Sequence, residues 1–421
     1  MISCSAARIQ KNIEALAHFS RCPGSGCTRL SYTKEFRLAA DYVIEEMHSI
    51  GLAVREDAAG SLIGRWGESA AKGPVILTGS HFDSVPQGGN FDGPAGIFTA
   101  LEAVRVLKEI HFQPEIPIEV IAMPEEEGSR FGGGLFASRA ICGAVTAEEL
   151  KQTIDSDGIS QYEAMTAYGL HPEQIASAQR TPSEIAAYLE LHIEQGPVLE
   201  QAKKQIGIVD SIVGLQCFQI TVCGRADHAG TTPLTMRADA LLAAARAMAA
   251  ATDTALCLKD GTVITFGSIH SSPAASNIVS SRVSFTADCR SSQTSSIKTV
   301  IHAFEDSLKS SAQKAAGLFW KITSTLDAAP AIMHPELIHM LEDSARSLSL
   351  SCMHLSSGAG HDAMNFADVC PTAMIFVPSR GGRSHCPEEW TDYAQLACGA
   401  EVLLHTLAKL SGKNRISLTQ P

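Results

Sequence analysis

Two short apolar runs constrain this chain most. Pro74-Val-Ile-Leu-Thr-Gly-Ser-His81 and Ile116–Met123 are each too short for a core helix and each runs out into polar residues, and Gly96–Glu109 between them carries a broad apolar helical face. A strand, a helix and a second strand read as the crossover unit of an α/β sheet with helices on both faces. Upstream, Thr33 caps a predicted helix with apolar residues Phe36, Ala40, Val43, Met47 and Ile50, ended by Gly51. Short strands follow around 53–56 and 61–65, hinged at Gly60. In such sheets ligands gather beyond the carboxyl ends of the strands. His81 and Glu125–Glu127 both stand at such ends.

The pattern changes at residue 213. Strand signals at 215–223, 262–270, 281–289 and 317–326 interleave with helix signals at 237–251 and 294–312. The order βαββαβ predicts a small antiparallel sheet with two helices on one face. The alternation of the first part resumes from Pro335, so the chain divides into a discontinuous domain (1–212 and 329–421) and an inserted α+β domain (213–328). The expected class is therefore α/β with a mixed sheet plus an inserted α+β unit.

The 421 residues carry 33 Lys and Arg against 45 Asp and Glu, a net charge of −12, without a basic run. That argues against nucleic acid or an anionic membrane surface as partner. No stretch reaches 18 uninterrupted apolar residues, and the N-terminus lacks the basic-then-apolar order of a signal peptide. The 12 cysteines are scattered without a Cys-x-x-Cys pair. Reduced thiols and a cytoplasmic location are the expectation.

Several strand ends offer chemistry. His81-x-Asp83 is followed by Gly88-Gly-Asn-Phe-Asp92-Gly. This reads either as a Gly-rich turn beside a core histidine or as an imidazole and a carboxylate on a metal, with Asp83 fixing the imidazole. Glu125-Glu-Glu127 reads as a solvated acidic turn or as a cluster neutralised by cations, with one glutamate raised in pKa and suited to act as a base. In Tyr188-Leu-Glu-Leu-His192-Ile-Glu194, alternation puts His192 on one face with Glu190 and Glu194. His385 and the pair His361-Asp362 lie past further strands or in Gly-rich loops.

At these residues the sequence resembles the two-metal amidohydrolases related to aminoacylase and carboxypeptidase G. The nearer likeness is to the branch of N-carbamoyl-L-amino acid hydrolases, allantoate amidohydrolases and ureidoglycolate amidohydrolases. The likeness is carried by Gly79-Ser-His-Phe-Asp-Ser-Val, Gly88-Gly-Asn-Phe-Asp-Gly, Glu125-Glu-Glu-Gly-Ser-Arg-Phe, Glu190-Leu-His-Ile-Glu-Gln-Gly-Pro, His228-Ala-Gly-Thr-Thr-Pro, Ser357-Gly-Ala-Gly-His-Asp-Ala and Ser384-His-Cys-Pro-Glu, in order along the chain. The resemblance implies two divalent ions (Zn, or Mn, Co or Ni) bridged by Asp92. One would also take His81 and His192, the other Glu127 and His385. It implies Glu126 as general base, with Glu125 outside the site, and His228 as the residue that polarises the scissile carbonyl, reaching over from a partner subunit. Asn277 and Arg290 would hold a substrate carboxylate, and Gln195 would line the pocket. The 213–328 domain would serve as lid and as the contact of a homodimer.

The implied reaction is hydrolysis of the terminal carbamoyl C–N bond of a small ureido acid. A metallo-dipeptidase or aminoacylase is the alternative, and a catalytically dead binding protein of the same fold a distant one. Signals for the substrate conflict. Gly214-Leu-Gln-Cys-Phe218 stands where allantoate enzymes carry Gly-Gln-Arg-Arg-Tyr, while Thr28-Arg-Leu-Ser-Tyr-Thr33 and the triple glutamate look closer to the allantoate side, and Arg383 replaces an apolar residue before His385.

Overall fold

The computed structural model describes residues 3–22, 24–67 and 73–412. These form two compact units, one from the residues up to Asp210 together with those from Ile332 onward, the other Ser211–Ala331. In the first unit the strands Ile118–Met123, Val75–His81, Ile185–Ile193 and Thr372–Val377 lie side by side and run parallel. Their apolar runs are continuous because both faces of a parallel sheet are covered: every residue of Val75–His81, Ile118–Met123 and Thr372–Val377 is buried. Antiparallel strands extend the sheet, with Leu62–Trp66 and Ala53–Glu56 on one side and Ile206–Ile212 on the other. The helices Ala6–Ala17, Lys34–Ser49, Pro94–Glu109, Pro335–Ser347 and Tyr393–Ser411 bury their apolar faces in one core with these strands. Thr33 caps the second of them by accepting from Phe36 N, as its sequence suggested.

The parallel register lines the strand ends up. His81 lies opposite Met123, and His192 opposite Phe376. The loops that follow therefore leave the sheet at one edge. Gly79 is essential to this alignment. Its φ is +146°, and a Cβ there would fall 1.9 Å from Ile121 O on the neighbouring strand. Tyr188 Oη also donates to Gly79 O at 3.2 Å.

The strand Ile185–Ile193 is covered on both sides. Alternation gave it an apolar and a polar side, yet the polar side is also buried: Tyr188, Glu190 and His192 are no more than 1% exposed. The strand is central, so its polar side faces an enclosed charged cluster rather than water. Glu194 leaves that cluster and caps the turn after the strand, accepting from Val198 N and Leu199 N.

The second unit is a four-stranded antiparallel sheet in the order Phe319–Ala328, Gly214–Cys223, Arg282–Ser291, Val263–Ser272. The helices Ala240–Leu258 and Thr294–Lys314 pack on it around Phe218, Ile220, Phe285 and Phe304. Ala243, Ala244, Ala247 and Ala251 form the buried row of the first helix and allow close approach. That helix is the one span among the described residues long and apolar enough to cross a membrane. All 12 cysteines are free thiols.

Gly79→Ala is expected to lower stability by about 3 kcal/mol or more, since it joins a backbone clash to a strained φ. Urea unfolding measures this, and an unchanged midpoint would contradict it.

Candidate metal centre

The carboxyl ends of the parallel strands converge on Asp92. Its Oδ1 lies 3.3 Å from His81 Nε2 and 3.1 Å from His192 Nε2, and its Oδ2 lies 3.2 Å from His385 Nε2. His385 Nε2 is in turn 3.4 Å from Glu127 Oε2, and Glu126 Oε2 is 3.8 Å from His81 Nε2. Asp92 thus gives one oxygen to the pair His81 and His192 and the other to the pair His385 and Glu127. Both triads, and also His81 with Glu126 and Glu127, bring ligand atoms within 4.8 Å of one another. Asp92, Glu126, His81 and His192 are buried, whereas His385 is exposed at the mouth.

Local chain geometry explains how these side chains reach one point. Asp92 ends a loop closed by Gly93, whose φ of +81° starts the helix Pro94–Glu109. A Cβ on Gly93 would lie 2.6 Å from the His81 ring. Glu125, Gln195 and His385 all hold left-handed backbone, with φ of +56°, +57° and +56°. Such strain persists where the surroundings over-determine a site. Asp83 secures the glutamate loop with both oxygens, accepting from Glu126 N at 3.1 Å and Glu127 N at 3.2 Å, and its Oδ1 is 3.5 Å from His81 Nδ1.

The electrostatics carry the signature of a site built around cations. Burial pushes the Glu126 carboxyl well above its ordinary value, with Glu127, Asp362 and Asp83 adding to the effect against the pull of His81. Glu127 is pushed up to about 7, first by burial and then by Asp92. His385 is raised to about 9, chiefly by its hydrogen bond with Asp92. Burial opposes protonation of His81, but Glu126, Asp83 and Asp92 outweigh it. Carboxylates and imidazoles packed this closely hold protons where cations would otherwise neutralise them. His192 Nδ1 pairs with Ile193 O at 2.9 Å, which leaves its Nε2 lone pair aimed at the cluster, without a hydrogen-bond partner. A buried acceptor nitrogen facing a shared carboxylate is the arrangement a bound divalent ion satisfies, and the donor set of imidazoles and carboxylates fits one.

The other residues singled out in the sequence lie around this centre or in the second unit. Gln195 Nε2 donates to Asp92 Oδ2 at 2.7 Å, so it touches the cluster itself. Glu125 stays outside: its Oε1 accepts from Phe131 N at 2.9 Å and closes its own loop. His228, Asn277 and Arg290 belong to the second unit, where His228 and Ile278 form a bridge between two loops. Arg290 is held by Asp288 through two bonds, at 3.0 and 3.1 Å. Arg383 pairs with Glu388 at 3.0 Å on the surface.

Glu389 and Glu190 have roles that motif reading did not assign. Glu389 Oε1 accepts from Phe91 N at 2.9 Å and Asp92 N at 3.1 Å. Its Oε2 is 2.6 Å from Ser384 Oγ, which donates to Asp92 Oδ2 at 2.9 Å. Burial raises the Glu389 carboxyl and Asp92 adds to the effect, while the hydrogen bond donated by Ser384 opposes it. Glu190 accepts from Ser80 Oγ at 2.7 Å and Ala363 N at 3.2 Å, joining two strand ends. The available signal was their position: Glu190 shares the enclosed face of His192, and Glu389 lies one turn past His385.

A mixed α/β sheet with a histidine and carboxylate cluster at its strand ends is the arrangement of a metal-dependent enzyme. The family model for Peptidase family M20/M25/M40 matches residues 77–409, and the chain belongs to this family. An N-carbamoyl-L-amino-acid amidohydrolase of Paenarthrobacter aurescens is 43% identical over 96% of this chain and 98% of its own length. The allantoate amidohydrolase of Escherichia coli is 35% identical over 98% and 99%. A hydantoinase/carbamoylase family amidase of Burkholderia multivorans superposes with a TM-score of 0.87 at 31% identity, covering 97% of this chain and 98% of its own.

Glu389→Ala is expected to weaken divalent-metal affinity by about 10- to 100-fold, the usual effect of removing a group that orients a ligand. Competition with a chelator measures it. Wild-type affinity in a folded variant would contradict the link from Glu389 to Asp92.

Proposed function

We propose that this protein hydrolyses the terminal carbamoyl C–N bond of a small ureido acid, an N-carbamoyl-L-amino acid before allantoate. The observation that carries the reading is the split of Asp92 between two ligand pairs, with Glu126 beside them as a further buried carboxylate. The order of substrates follows the relatives, 43% identity to a carbamoyl-amino-acid enzyme against 35% to an allantoate enzyme. Relatives so named do not favour dipeptidase or aminoacylase chemistry.

In this reading His81, His192 and Asp92 hold one divalent ion, and Glu127, His385 and Asp92 hold a second. Bound there, such ions lower the pKa of water and polarise a carbonyl. Glu126 takes the proton from the attacking water and returns it to the leaving nitrogen. Asp83 keeps Glu126 in place through the backbone. His228 donates to the oxyanion that develops on the carbonyl. Arg290, oriented by Asp288, and Asn277 take the substrate carboxylate, for which a guanidinium fork is suited. Ammonia departs, and the remaining carbamate loses carbon dioxide.

The second unit acts as lid and as the contact of a two-fold dimer. Leu241, Leu242 and Leu256 on its apolar helix and Val263 and Ile269 on its edge strand are exposed in the single chain, as an isologous contact requires.

Ammonia release is expected from N-carbamoyl-L-amino acids, with less from allantoate and none from N-acetyl amino acids or dipeptides. The reverse preference would overturn the reaction class. Glu126→Gln is expected to lower kcat by roughly 10²- to 10⁴-fold with metal content retained. Mixing this variant with His228→Ala under subunit exchange is expected to restore activity, because one site of each mixed dimer then has both groups. No recovery despite exchange would place His228 in its own subunit's chemistry or outside catalysis.

A further inference from the structure

His228 begins a tight turn in which its carbonyl accepts from Thr232 N at 3.2 Å. Two further peptide groups of that turn aim at its ring: Gly230 N and Thr231 N donate to His228 Nδ1 at 3.0 and 3.2 Å. A peptide N–H can only donate. The ring nitrogen that receives two of them must present its lone pair, so in neutral His228 the proton sits on Nε2. Nε2–H is the form that can donate to a developing oxyanion. The opposite tautomer would present a lone pair to it.

The turn is itself clamped. Arg237 Nε donates to Thr232 O at 2.9 Å, and Arg237 Nη2 donates to Ala229 O at 2.5 Å, so one guanidinium spans both ends of the turn. Among the described residues no carboxylate pairs with Arg237; its charge serves these two carbonyls, and charge-assisted bonds are the stronger kind. On the other side Ala229 N donates to Asn277 O at 3.0 Å and Val279 N to Asp227 O at 2.8 Å. A lysine has the charge but lacks the rigid fork that reaches two acceptors.

We propose that Arg237 is a positioning residue that fixes the Nε2–H tautomer and the aim of His228 through the 228–232 turn. The proposal rests on the reading of His228 as the carbonyl-polarising group. The test uses full-length, metal-loaded enzyme labelled with ¹⁵N-histidine, with the His228 ring signals assigned by their loss in His228→Ala. Wild-type protein is expected to show an unprotonated Nδ1 and a protonated Nε2. Arg237→Met is expected to show a mixture of tautomers and a kcat roughly 10- to 100-fold lower, the scale of a misplaced catalytic group, with KM for an N-carbamoyl-L-amino acid changed less than about threefold. Arg237→Lys is expected to recover only part of kcat. A protonated Nδ1 in wild type, or an unchanged tautomer and kcat in Arg237→Met, would overturn the proposal. Wild-type kcat in His228→Ala would instead remove the catalytic reading of His228, and the tautomer would still be decided by the spectrum.

Discussion

Burying a carboxylate costs several kcal/mol unless a counter-charge or a set of donors comes with it. This protein gathers Asp83, Asp92, Glu126, Glu190 and Asp362 at one edge of a parallel sheet and buries each of them. Much of the surrounding structure answers that cost. Peptide N–H groups of Glu126 and Glu127 go to Asp83, and Ser80 and Ala363 go to Glu190. Ser138 donates to Asp362 at 2.6 Å. Asp92 is met by His81, His192, His385 and Gln195, whereas Glu126 and Glu127 beside it stay raised by burial. The imidazoles and carboxylates of that cluster are a donor set that fits a cation.

The fold was largely legible because the elements that matter have unambiguous periods. Val75–His81 and Ile118–Met123 are continuous apolar runs with a helix between them, and few arrangements other than a parallel pair bury both. In the second unit the alternation of Val283, Phe285, Ala287 and Cys289 marks one buried side of a strand. Less legible was the strand Ile185–Ile193, because alternation shows two kinds of side chain without showing which side meets water. The roles of Glu389 and Glu190 stayed hidden for a related reason. Their work is to accept from backbone N–H groups of distant loops, and nothing in local spacing records such partners.

Residues that resembled one substrate branch proved to have structural duties. Arg29 is 1% exposed and donates to the carbonyls of Phe82 and Leu16, while Tyr32 Oη donates to Ala59 O at 2.8 Å. Arg29 braces the loop that leaves His81, and Tyr32 the turn before the strand Leu62–Trp66. Glu125 likewise closes its own loop. These bonds give each of the three side chains a role in holding its own loop. Under the proposed reaction, Asn277, Arg290 and the clamped His228 of the second unit would be the residues that meet the substrate.

The central claim is that Asp92 divides its oxygens between two cations. Crystals grown with manganese or zinc and measured on both sides of the metal's absorption edge test it directly. The account predicts two anomalous peaks about 3.5–4 Å apart, one between His81 and His192 and the other between Glu127 and His385, with Asp92 between them. A single peak away from Asp92, or none in metal-replete crystals, would contradict it.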